Sequence, residues 1–531
     1  MTEIAPSPIS RRRFLAGVGV AAAGLAVPVL RNPALARGAV PWEKEVFTLG
    51  VASGDPTPQG VVLWTRLAPE PLAGGGMPDR PVPVRWEVAR DPLMRRVVKR
   101  GEVATDPRLA HAVHVEVDDL DPGHEYWYRF IAGPQASMVG RTVTAPERGA
   151  DPGELRFAFV SCQDWQNGYW PAYTHLAEEE LDLIVHLGDY IYEYGPEGKV
   201  RPGAPADRVH DGPEVSSLAS YRNRYALYRT DPAIQAAHAA APWIVTPDDH
   251  EVENNYAGLI PEIGNTSAAD FAARRANGYR AYYEHMPLRR RNRPQGASIQ
   301  LYRRLAWGSL AEFNVLDTRQ FRTDQPCGDG LTNCADRFDP NATMTGAEQE
   351  RWLLRGLSRS DARWNVIAQQ TIFAEVDFNP IPGSAGQAGL FNVDQWDGYV
   401  AQRQRITEFL ATERPSNPVI LTGDIHSSWA IDVKTDYDNP ASQTVAAELV
   451  GTSISSDFPT PFIRPVQAAL SDNPHIKFFD GQFRGYVMNR ITRSEWTADF
   501  KAVSTVDTRD ATLSTLRSFV VENGVPGVQA A

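Results

Sequence analysis

The stretch LDLIVHLGDYIYE at residues 181–193 decides the fold class. Its first seven residues are mostly apolar, and a glycine and Asp189 follow directly. Strands as apolar as this are usually covered on both faces, as in a sheet with helices packed against it. In such sheets, ligands bind at the loops that leave the carboxyl ends of strands. The stretch therefore predicts an α/β fold in which strand ends carry the functional residues.

Three further predicted strands end in polar clusters of the same kind. The pairs of strand and cluster are Arg156–Ser161 with Cys162, Trp243–Thr246 with Asp248-Asp249-His250-Glu251, and Val419–Thr422 with Gly423-Asp424-Ile425-His426. Each cluster alone is weak evidence, because Gly and Asp are common turn residues and a lone histidine is usually structural. Four clusters at equivalent positions, supplying Cys, Asp, Tyr and His side chains, together predict a metal site of mixed hard and borderline ligands.

The composition excludes several classes of protein. The chain has 531 residues, of which 42% are hydrophobic, so it can build a sizeable core and is not disordered. With 53 basic and 65 acidic side chains, its formal net charge is -12. A protein that binds nucleic acid through a basic surface has the opposite balance, so we expect no stable nucleic acid complex. A large, acidic, multi-domain enzyme fits these numbers.

The chain divides into two regions of different pattern. Residues 40–148 alternate apolar and polar side chains between Pro/Gly turns, as around Val84–Val88. This alternation predicts antiparallel strands in a small all-β sandwich. The segment Leu120–Tyr128 resembles the late corner of fibronectin-type domains, where a tyrosine holds the turn. After a Gly/Pro-rich linker, residues 154–525 are predicted to form one large α/β domain. Within it, we expect helices that begin with capping boxes at Ser267 and Thr345, and strands rather than a lid helix in the tail.

Residues 1–36 predict an export signal. Arg11-Arg12-Arg13 precede an apolar run, Phe14–Leu30, whose 17 residues and internal proline would span a bilayer poorly. Ala34-Leu35-Ala36 then has the small-x-small pattern of a signal-peptidase site. The adjacent arginines resemble a twin-arginine signal, which predicts the twin-arginine translocase as a partner. We expect a secreted or periplasmic mature protein with no transmembrane anchor; an uncleaved anchor is the alternative.

The site motifs resemble those of the metallophosphoesterases. Gly188-Asp189-x-x-Tyr192, Asp248-Asp249-His250-Glu251 and Gly423-Asp424-Ile425-His426 follow the order of the GD-x-x-Y, GNHE and GH-x-H blocks of that superfamily. The tyrosine marks the purple-acid-phosphatase branch. Cys162 and the DDHE and D-x-H variants are similar to the PhoD branch, which comprises PhoD-type alkaline phosphatases and the related phospholipases D without the HKD motif. This resemblance implies an α/β fold, a metallophosphoesterase-like β-sandwich flanked by helices, preceded by the small all-β, fibronectin-like N-terminal domain.

The resemblance also implies the ligands of the metals. One ferric ion would be held by Cys162, Asp189, Tyr192 and His426. Asp189 would bridge to a divalent ion, with Asp249 and Asp424 as the other ligands of that ion. Where the superfamily has Asn or His, this chain has Asp at both positions, and an all-oxygen set favours Ca²⁺ over Zn²⁺. One or two calcium ions are expected, and Asn255 is a lesser candidate in the same loop.

His250 is the expected catalytic residue. It directly follows a metal ligand, so its ring can face the metals without binding them, and its charge is tunable near neutral pH. The matching histidine of the superfamily contacts the phosphate or protonates the leaving group. The alternative is a structural histidine that caps the following helix.

The resemblance implies hydrolysis of phosphodiesters, and also of phosphomonoesters. A hydroxide bound to iron and calcium would attack the phosphorus atom in line. The substrate would be a phosphoester such as a cell-wall polymer, a phospholipid or an extracellular nucleotide. One alternative is a phospholipase D that releases headgroups, and a remote one is a non-catalytic secreted protein that binds polymers.

Several other residues carry weaker expectations. Cys327 and Cys334 flank a Gly/Asp/Asn loop and are predicted to form a local disulfide, with a second metal site as the alternative. Arg319 and Arg322 follow the strand that ends near Asp317 and are candidate substrate contacts. The serines after the Ala447–Val450 strand are expected to line the mouth of the site; they are Ser453, Ser455 and Ser456.

Overall fold

A computed structural model of the chain describes residues 40–262, 266–379 and 389–531, so the predicted export signal lies outside the described residues. Two large β-sheets pack face to face, and helices cover their outer faces. The predicted fold class, an α/β fold built on a β-sandwich flanked by helices with a β-rich N-terminal region, is confirmed. No helix of the described segments is long and apolar enough to cross a membrane.

The strands are β1 (Val51–Thr57), β2 (Gly60–Arg66), β3 (Pro83–Ala89), β4 (Val97–Ala104), β5 (Ala112–Val117), β6 (Glu125–Ala132), β7 (Gln135–Ala136), β8 (Gly140–Val143), β9 (Leu155–Val160), β10 (Leu183–His186), β11 (Trp243–Val245), β12 (Arg303–Trp307), β13 (Ala311–Val315), β14 (Leu331–Thr332), β15 (Trp364–Ala368), β16 (Phe391–Asn392), β17 (Pro418–Thr422), β18 (Ser428–Lys434), β19 (Thr444–Val450), β20 (Ile476–Asp480), β21 (Arg484–Ile491), β22 (Glu495–Val503), β23 (Leu513–Glu522) and β24 (Gln529–Ala530). The α-helices are α1 (Pro171–Glu178), α2 (Leu218–Arg229), α3 (Pro232–Ala240), α4 (Ala268–His285), α5 (Gly346–Leu357), α6 (Val400–Glu413) and α7 (Thr460–Ala469).

Two sheets form the sandwich. The first has ten strands in the order β24-β23-β22-β21-β9-β10-β11-β1-β2-β5, and its central strands β9, β10 and β11 are parallel. The second has seven strands in the order β12-β13-β15-β17-β19-β18-β20, with β13, β15, β17 and β19 parallel. Because parallel strands end at the same edge of a sheet, β9, β10 and β11 release their loops at one place, and β17 does so in the facing sheet.

The core lies in three layers. Between the sheets, Phe157 and Trp496 of the first sheet pack with Phe313 of the second, all of them buried. On the outer face of the first sheet, α1–α4 supply a second apolar cluster that is rich in tyrosines. On the outer face of the second sheet, α5–α7 supply a third. Tyr225 and Tyr282 are buried in the helical layer of the first sheet, where they pack in the core.

The N-terminal region contributes to two sheets. Its predicted strands form, and the hydroxyl of Tyr126 accepts a hydrogen bond from the backbone of Asp121 at 2.9 Å, as expected for the corner tyrosine. Strands β3, β4, β6, β7 and β8 make a separate five-stranded sheet, whereas β1, β2 and β5 extend the ten-stranded sheet, whose other strands come from residues 155–530. Gly54 pairs in parallel with Trp243 at this junction. A Cβ at Gly54 would lie 2.6 Å from the carbonyl oxygen of Pro287, so only glycine fits.

The predicted helix starts differ in their capping. Ser267 accepts a hydrogen bond from the backbone of Asp270 and caps α4, as predicted. Helix α5 begins after Thr345, but the predicted capping box there is wrong, because the Thr345 hydroxyl makes no cap hydrogen bond. It accepts instead from the Gln402 amide on α6, at 2.8 Å. The tail after residue 484 forms strands β21 to β24, as the alternating pattern predicted.

Candidate metal centre

The loops after β9, β10, β11 and β17 meet at one end of the sandwich. They place six of the predicted site residues in three overlapping groups of metal-type ligands, whose members lie within 4.8 Å of one another. The groups are Cys162, Asp189 and His426; Asp189, Asp249 and His250; and Asp248, Asp249 and Asp424. Tyr192 joins the first group, with its hydroxyl 2.9 Å from Asp189 Oδ2 and 3.1 Å from His426 Nε2. All seven residues singled out by the sequence thus lie together.

The backbone of this site is strained. Cys162, Asp189, Asp424 and His426 have φ angles between 56° and 60°, a left-handed conformation that is rare for residues other than glycine. Such conformations cost of order 1–3 kcal/mol each and are held only where the surrounding structure fixes them. The turns after β9, β10 and β17 adopt this conformation, and their side chains converge with those that follow β11. Their concentration at one site marks it as functional.

One end of the site carries the softer ligands. Burial raises the pKa of Cys162 well above its usual value, and the charge of Asp189 raises it further. The same two causes raise the pKa of Tyr192. Burial lowers the pKa of His426 to about 3, so its ring is neutral. His426 Nδ1 lies 2.9 Å from the carbonyl oxygen of Asp457, which leaves Nε2 as the nitrogen that can bind a metal.

The predicted serines lie behind this end rather than at its mouth. Ser453, Ser455 and Ser456 are fully buried. Ser456 Oγ lies 2.7 Å from the Tyr192 hydroxyl and 2.9 Å from the carbonyl oxygen of Cys162, within hydrogen-bond distance of both. The expectation that these serines line the mouth is therefore wrong. They support the backbone and the side chains of the candidate ligands.

The other end of the site is acidic and incompletely paired. Asp189 Oδ1, Asp249 Oδ1 and Asp248 Oδ2 are buried and have no hydrogen-bond partner among the described residues, although Asp249 Oδ1 lies 3.7 Å from Arg319 Nη2. A buried carboxylate oxygen without a partner is costly, because it has lost its water without replacement. Burial raises the pKa of Asp189, and it raises the pKa of Asp424 to about 6, against the opposing charge of Arg319. Carboxylate oxygens of this kind are the ligands that hard cations prefer.

Arg319 lies inside this acidic end and is only 1% exposed. Its Nε is 2.5 Å from Asp248 Oδ1, its Nη1 2.9 Å from Asp394 Oδ1, and its Nη2 3.0 Å from Asp424 Oδ1. Arg322 is equally buried, between Asp394 and Tyr399. The expectation that these arginines contact substrate is wrong, because neither reaches the open side of the site. They act as fixed internal cations that hold the carboxylates in place.

His250 is held by Glu193. Its Nδ1 lies 2.7 Å from Glu193 Oε2, while Glu193 Oε1 accepts the backbone N–H of Asn254 at 2.8 Å. Burial alone would lower the pKa of His250, but the charges of Glu193, Asp189 and Asp249 together raise it well above its usual value. The ring lies over that of Tyr192, with 4.1 Å between the ring centroids. His250 is therefore oriented by a carboxylate and does not serve as a helix cap.

A cavity of about 270 Å³ opens onto the centre. Asp189, His250, Asp424 and His426 line it, together with residues that the sequence patterns missed; these include Asp329, Asn392, Asp394, Gln395 and Pro459. Gln395 donates to Asp424 Oδ2 at 2.6 Å. Asp329 precedes the two-residue strand β14, Asn392 ends the two-residue strand β16, and the others lie in loops, so no long apolar run in the sequence marks their positions. The predicted Cys327–Cys334 disulfide is confirmed close by, and Cys162 is the free, buried cysteine.

The comparisons with known proteins agree with this geometry. The model of the PhoD-like phosphatase family matches residues 157–500, and that of the PhoD-like phosphatase N-terminal domain matches residues 33–146. Alkaline phosphatase D of Bacillus subtilis (strain 168) is 47% identical over 524 residues, which are 98% of this chain and 88% of that protein. The chain belongs to the PhoD-like phosphatase family. A solved structure of PhoD covers 93% of this chain and 93% of its own, with a TM-score of 0.88 and 47% identity.

As a PhoD-like phosphatase, the chain is an enzyme that hydrolyses phosphoric esters. The resemblance drawn from the three motif blocks is confirmed, and the remote alternative of a non-catalytic polymer-binding protein is excluded. The metals, the individual ligand roles, the domain boundaries, the export route and the preferred ester stay predictions.

Proposed function

We propose that this PhoD-like phosphatase is an exported, metal-dependent phosphodiesterase that also cleaves phosphomonoesters. One ferric ion would be held by Cys162, Asp189, Tyr192 and His426, and calcium by Asp189, Asp249 and Asp424. The observation that supports this proposal is the trio of buried, unpartnered carboxylate oxygens on Asp189, Asp248 and Asp249. When bound, the cations would neutralise the phosphoester oxygens and activate water.

The donor chemistry fits these metals. Thiol and phenol groups whose pKa values are raised by burial are neutral on their own, and a trivalent cation supplies the charge that makes them good ligands. His426 offers a neutral nitrogen at the same end. The opposite end offers only carboxylate oxygens, which suit a hard divalent ion such as Ca²⁺. The candidate ligands thus fall into a softer set and a harder set, and Asp189 belongs to both.

The charges around the cavity also support a role for metal ions in substrate binding. Among the described residues that line it, none is lysine or arginine. Arg319 and Arg322 are committed to buried carboxylates, so among the described residues the charged ring of His250, itself paired with Glu193, is the side-chain cation that faces the cavity. A phosphoester is an anion, and it would meet a wall that includes Asp189, Asp249 and Asp424. Metal ions are the charges that reverse this local repulsion.

His250 would assist departure of the leaving group. The Glu193 contact keeps the ring charged and occupies Nδ1, which leaves the Nε2 proton for an alkoxide or alcohol oxygen. Glu193 thereby fixes the tautomer and the orientation of the acid, as a second carboxylate does for many catalytic histidines. We expect His250 to matter most for poor leaving groups.

Export is the remaining part of the proposal. The twin-arginine pattern at Arg11-Arg12-Arg13 supports it, as does the disulfide between Cys327 and Cys334, since such bonds persist mainly in oxidising compartments. Fusion of residues 1–36 to a folded reporter tests the signal directly. Replacement of Arg11, Arg12 and Arg13 by lysines should abolish transport, whereas transport of the unchanged fusion through the general secretory route alone would contradict it.

The activity is tested with bis-p-nitrophenyl phosphate and the p-nitrophenyl monoester, each with and without EGTA. We expect faster cleavage of the diester, loss of activity in EGTA and recovery with Ca²⁺. Asp189→Asn should reduce the rate by orders of magnitude, whereas Asp339→Asn, an exposed carboxylate outside the cavity, should not change it. A metal-replete enzyme that cleaves neither ester but releases headgroups from phosphatidylcholine would favour the phospholipase D alternative.

A further inference from the structure

A disulfide-closed loop forms one wall of the catalytic cavity. Cys327 and Cys334 are joined seven residues apart, and Asp329 and Gly330 between them line the cavity. Strand β14 of this loop pairs with β16, which brings Asn392 into the same wall. The loop is short, closed at its base and paired along one side. It therefore presents Asp329 at a defined position at the cavity mouth.

Asp329 holds the side chain of Asn255. The Asn255 amide nitrogen, Nδ2, lies 2.8 Å from one Asp329 carboxylate oxygen and 2.7 Å from the other. Asn255 has a φ of 51°, so its backbone also takes a left-handed conformation. Its backbone N–H donates to Asp249 Oδ2 at 2.6 Å. The other oxygen of Asp249, Oδ1, accepts no hydrogen bond.

A second contact from the same segment holds Asn255 from its carbonyl side. Gln325 donates from its amide nitrogen to the carbonyl oxygen of Asn255 at 2.7 Å and to Asp394 Oδ1 at 2.8 Å. The backbone of Asn255 is thus fixed at its carbonyl by Gln325, and its side chain is fixed by Asp329. Both holding residues lie on the stretch that enters and forms the disulfide loop. These two contacts fix the direction of the backbone N–H of Asn255, which donates to Asp249.

We infer that Asp329 is a positioning residue, which acts through Asn255 to aim Asp249 Oδ1, the oxygen that accepts no hydrogen bond, at the divalent cation. The disulfide keeps Asp329 in place, so the geometry of the candidate calcium site depends on this covalent bond. This inference rests on the proposed function, because it assigns Asp249 to a calcium ion. It adds the disulfide loop, which none of the site motifs contains, to the machinery that shapes the metal site.

The test is calcium binding by enzyme that has been treated with EGTA and retains its iron. Asp329→Ala should raise the Ca²⁺ dissociation constant about 10- to 100-fold, as loss of partners behind metal ligands usually does. Asp329→Asn keeps one acceptor and should fall between Asp329→Ala and the wild type. The melting temperature should hardly change, because Asp329 is exposed and a solvent-facing hydrogen bond adds little stability.

Asp339→Ala is the matched control. Asp339 also accepts hydrogen bonds from an asparagine, the backbone and side chain of Asn341, at 2.9 and 3.0 Å, but it does not line the cavity. Its replacement should leave the Ca²⁺ dissociation constant and kcat/KM at the values of the wild type. A shift as large as that of Asp329→Ala would mean that any lost surface contact weakens calcium binding, and it would overturn the inference.

The double variant Cys327→Ser/Cys334→Ser tests the link to the disulfide. It should weaken Ca²⁺ binding in the same direction, and addition of Asp329→Ala should bring little further loss, because both changes act through Asn255. If the two losses in Ca²⁺ binding are fully additive, the disulfide does not act through Asp329 and Asn255. If the serine variant does not fold, the Asp329 series decides alone.

The inference and the proposed function fail in different ways. If the wild-type enzyme binds no Ca²⁺ and EGTA leaves its activity unchanged, the proposed function is wrong. If the wild-type enzyme binds Ca²⁺ and needs it, yet Asp329→Ala binds it equally well, only the inference on Asp329 is wrong.

Discussion

Replacement of Arg319 by methionine offers the sharpest test of the electrostatics of the site. The guanidinium touches Asp248, Asp394 and Asp424 within 3.0 Å; Arg319, Asp248 and Asp394 are buried, and the Asp424 side chain is 13% exposed. Removal of one partner from a buried ion-pair network leaves uncompensated charge and typically costs about 3–5 kcal/mol. We expect a loss of this size in the free energy of unfolding of Arg319→Met when EGTA is present. Saturating Ca²⁺ should reduce the difference, because bound cations compensate the same carboxylates.

The assay is urea denaturation followed by tryptophan fluorescence, in EGTA and in excess Ca²⁺. Arg405→Met is the control, since Arg405 pairs with Glu350 at 2.8 Å but is 42% exposed, and such surface pairs contribute about 0–1 kcal/mol. A loss for Arg319→Met no larger than for Arg405→Met would refute the account of Arg319 as the internal counter-ion. An equal loss with and without Ca²⁺ would show that calcium does not share these carboxylates.

Three further outcomes are expected. Glu193→Gln should reduce kcat about 10- to 100-fold on an alkyl phosphodiester but much less on bis-p-nitrophenyl phosphate, whose leaving group needs little proton donation; equal losses on both would contradict the acid role of His250. Gly54→Ala should cost about 1–3 kcal/mol of stability, seen as a lower thermal midpoint, because its Cβ would meet the backbone carbonyls of Pro287 and Trp243 at 2.6 and 2.7 Å. Burial raises the pKa of Glu448 from 4.5 to about 7, so protonated Glu448 favours the folded state. This contribution to the free energy of unfolding is fully present below pH 4.5 and is lost as the pH rises through 7. Between pH 4.5 and 8, wild type should therefore lose about 3 kcal/mol relative to Glu448→Gln, and urea midpoints that move in parallel would contradict this.

Local pattern predicted the strands and the strand-end residues well. Apolar runs that end at Cys162, Asp189 and Asp424 are read directly from the sequence, and parallel strands must bring such ends to one edge. The helix cap at Ser267 depends on residues only three apart and was likewise accessible. These features depend on neighbours in the chain or on the general geometry of sheets.

Contacts between residues that are far apart in the chain could not be predicted from local sequence patterns. Arg319 meets Asp248 and Asp424 across separations of 71 and 105 residues, and nothing near Arg319 in the chain shows that its charge is buried. The pairing of β1 with β11 was missed for a similar reason. Alternation identifies a strand but not the edge that it joins, and Gly54 looks like a turn residue until its partner is known. At Thr345, the tertiary contact with Gln402 replaced the local cap.

The junction between β1 and β11 has a consequence for how the chain is made on the ribosome. Trp243 emerges 189 residues after Gly54, its partner in the sheet. At about 5–20 residues per second, one edge of β1 waits roughly 10–40 s for the strand that covers it. Throughout that interval, an open strand edge invites pairing with other chains. Nascent chains that stall before residue 243 should therefore be the aggregation-prone species, and chaperone binding should be greatest in that window of synthesis.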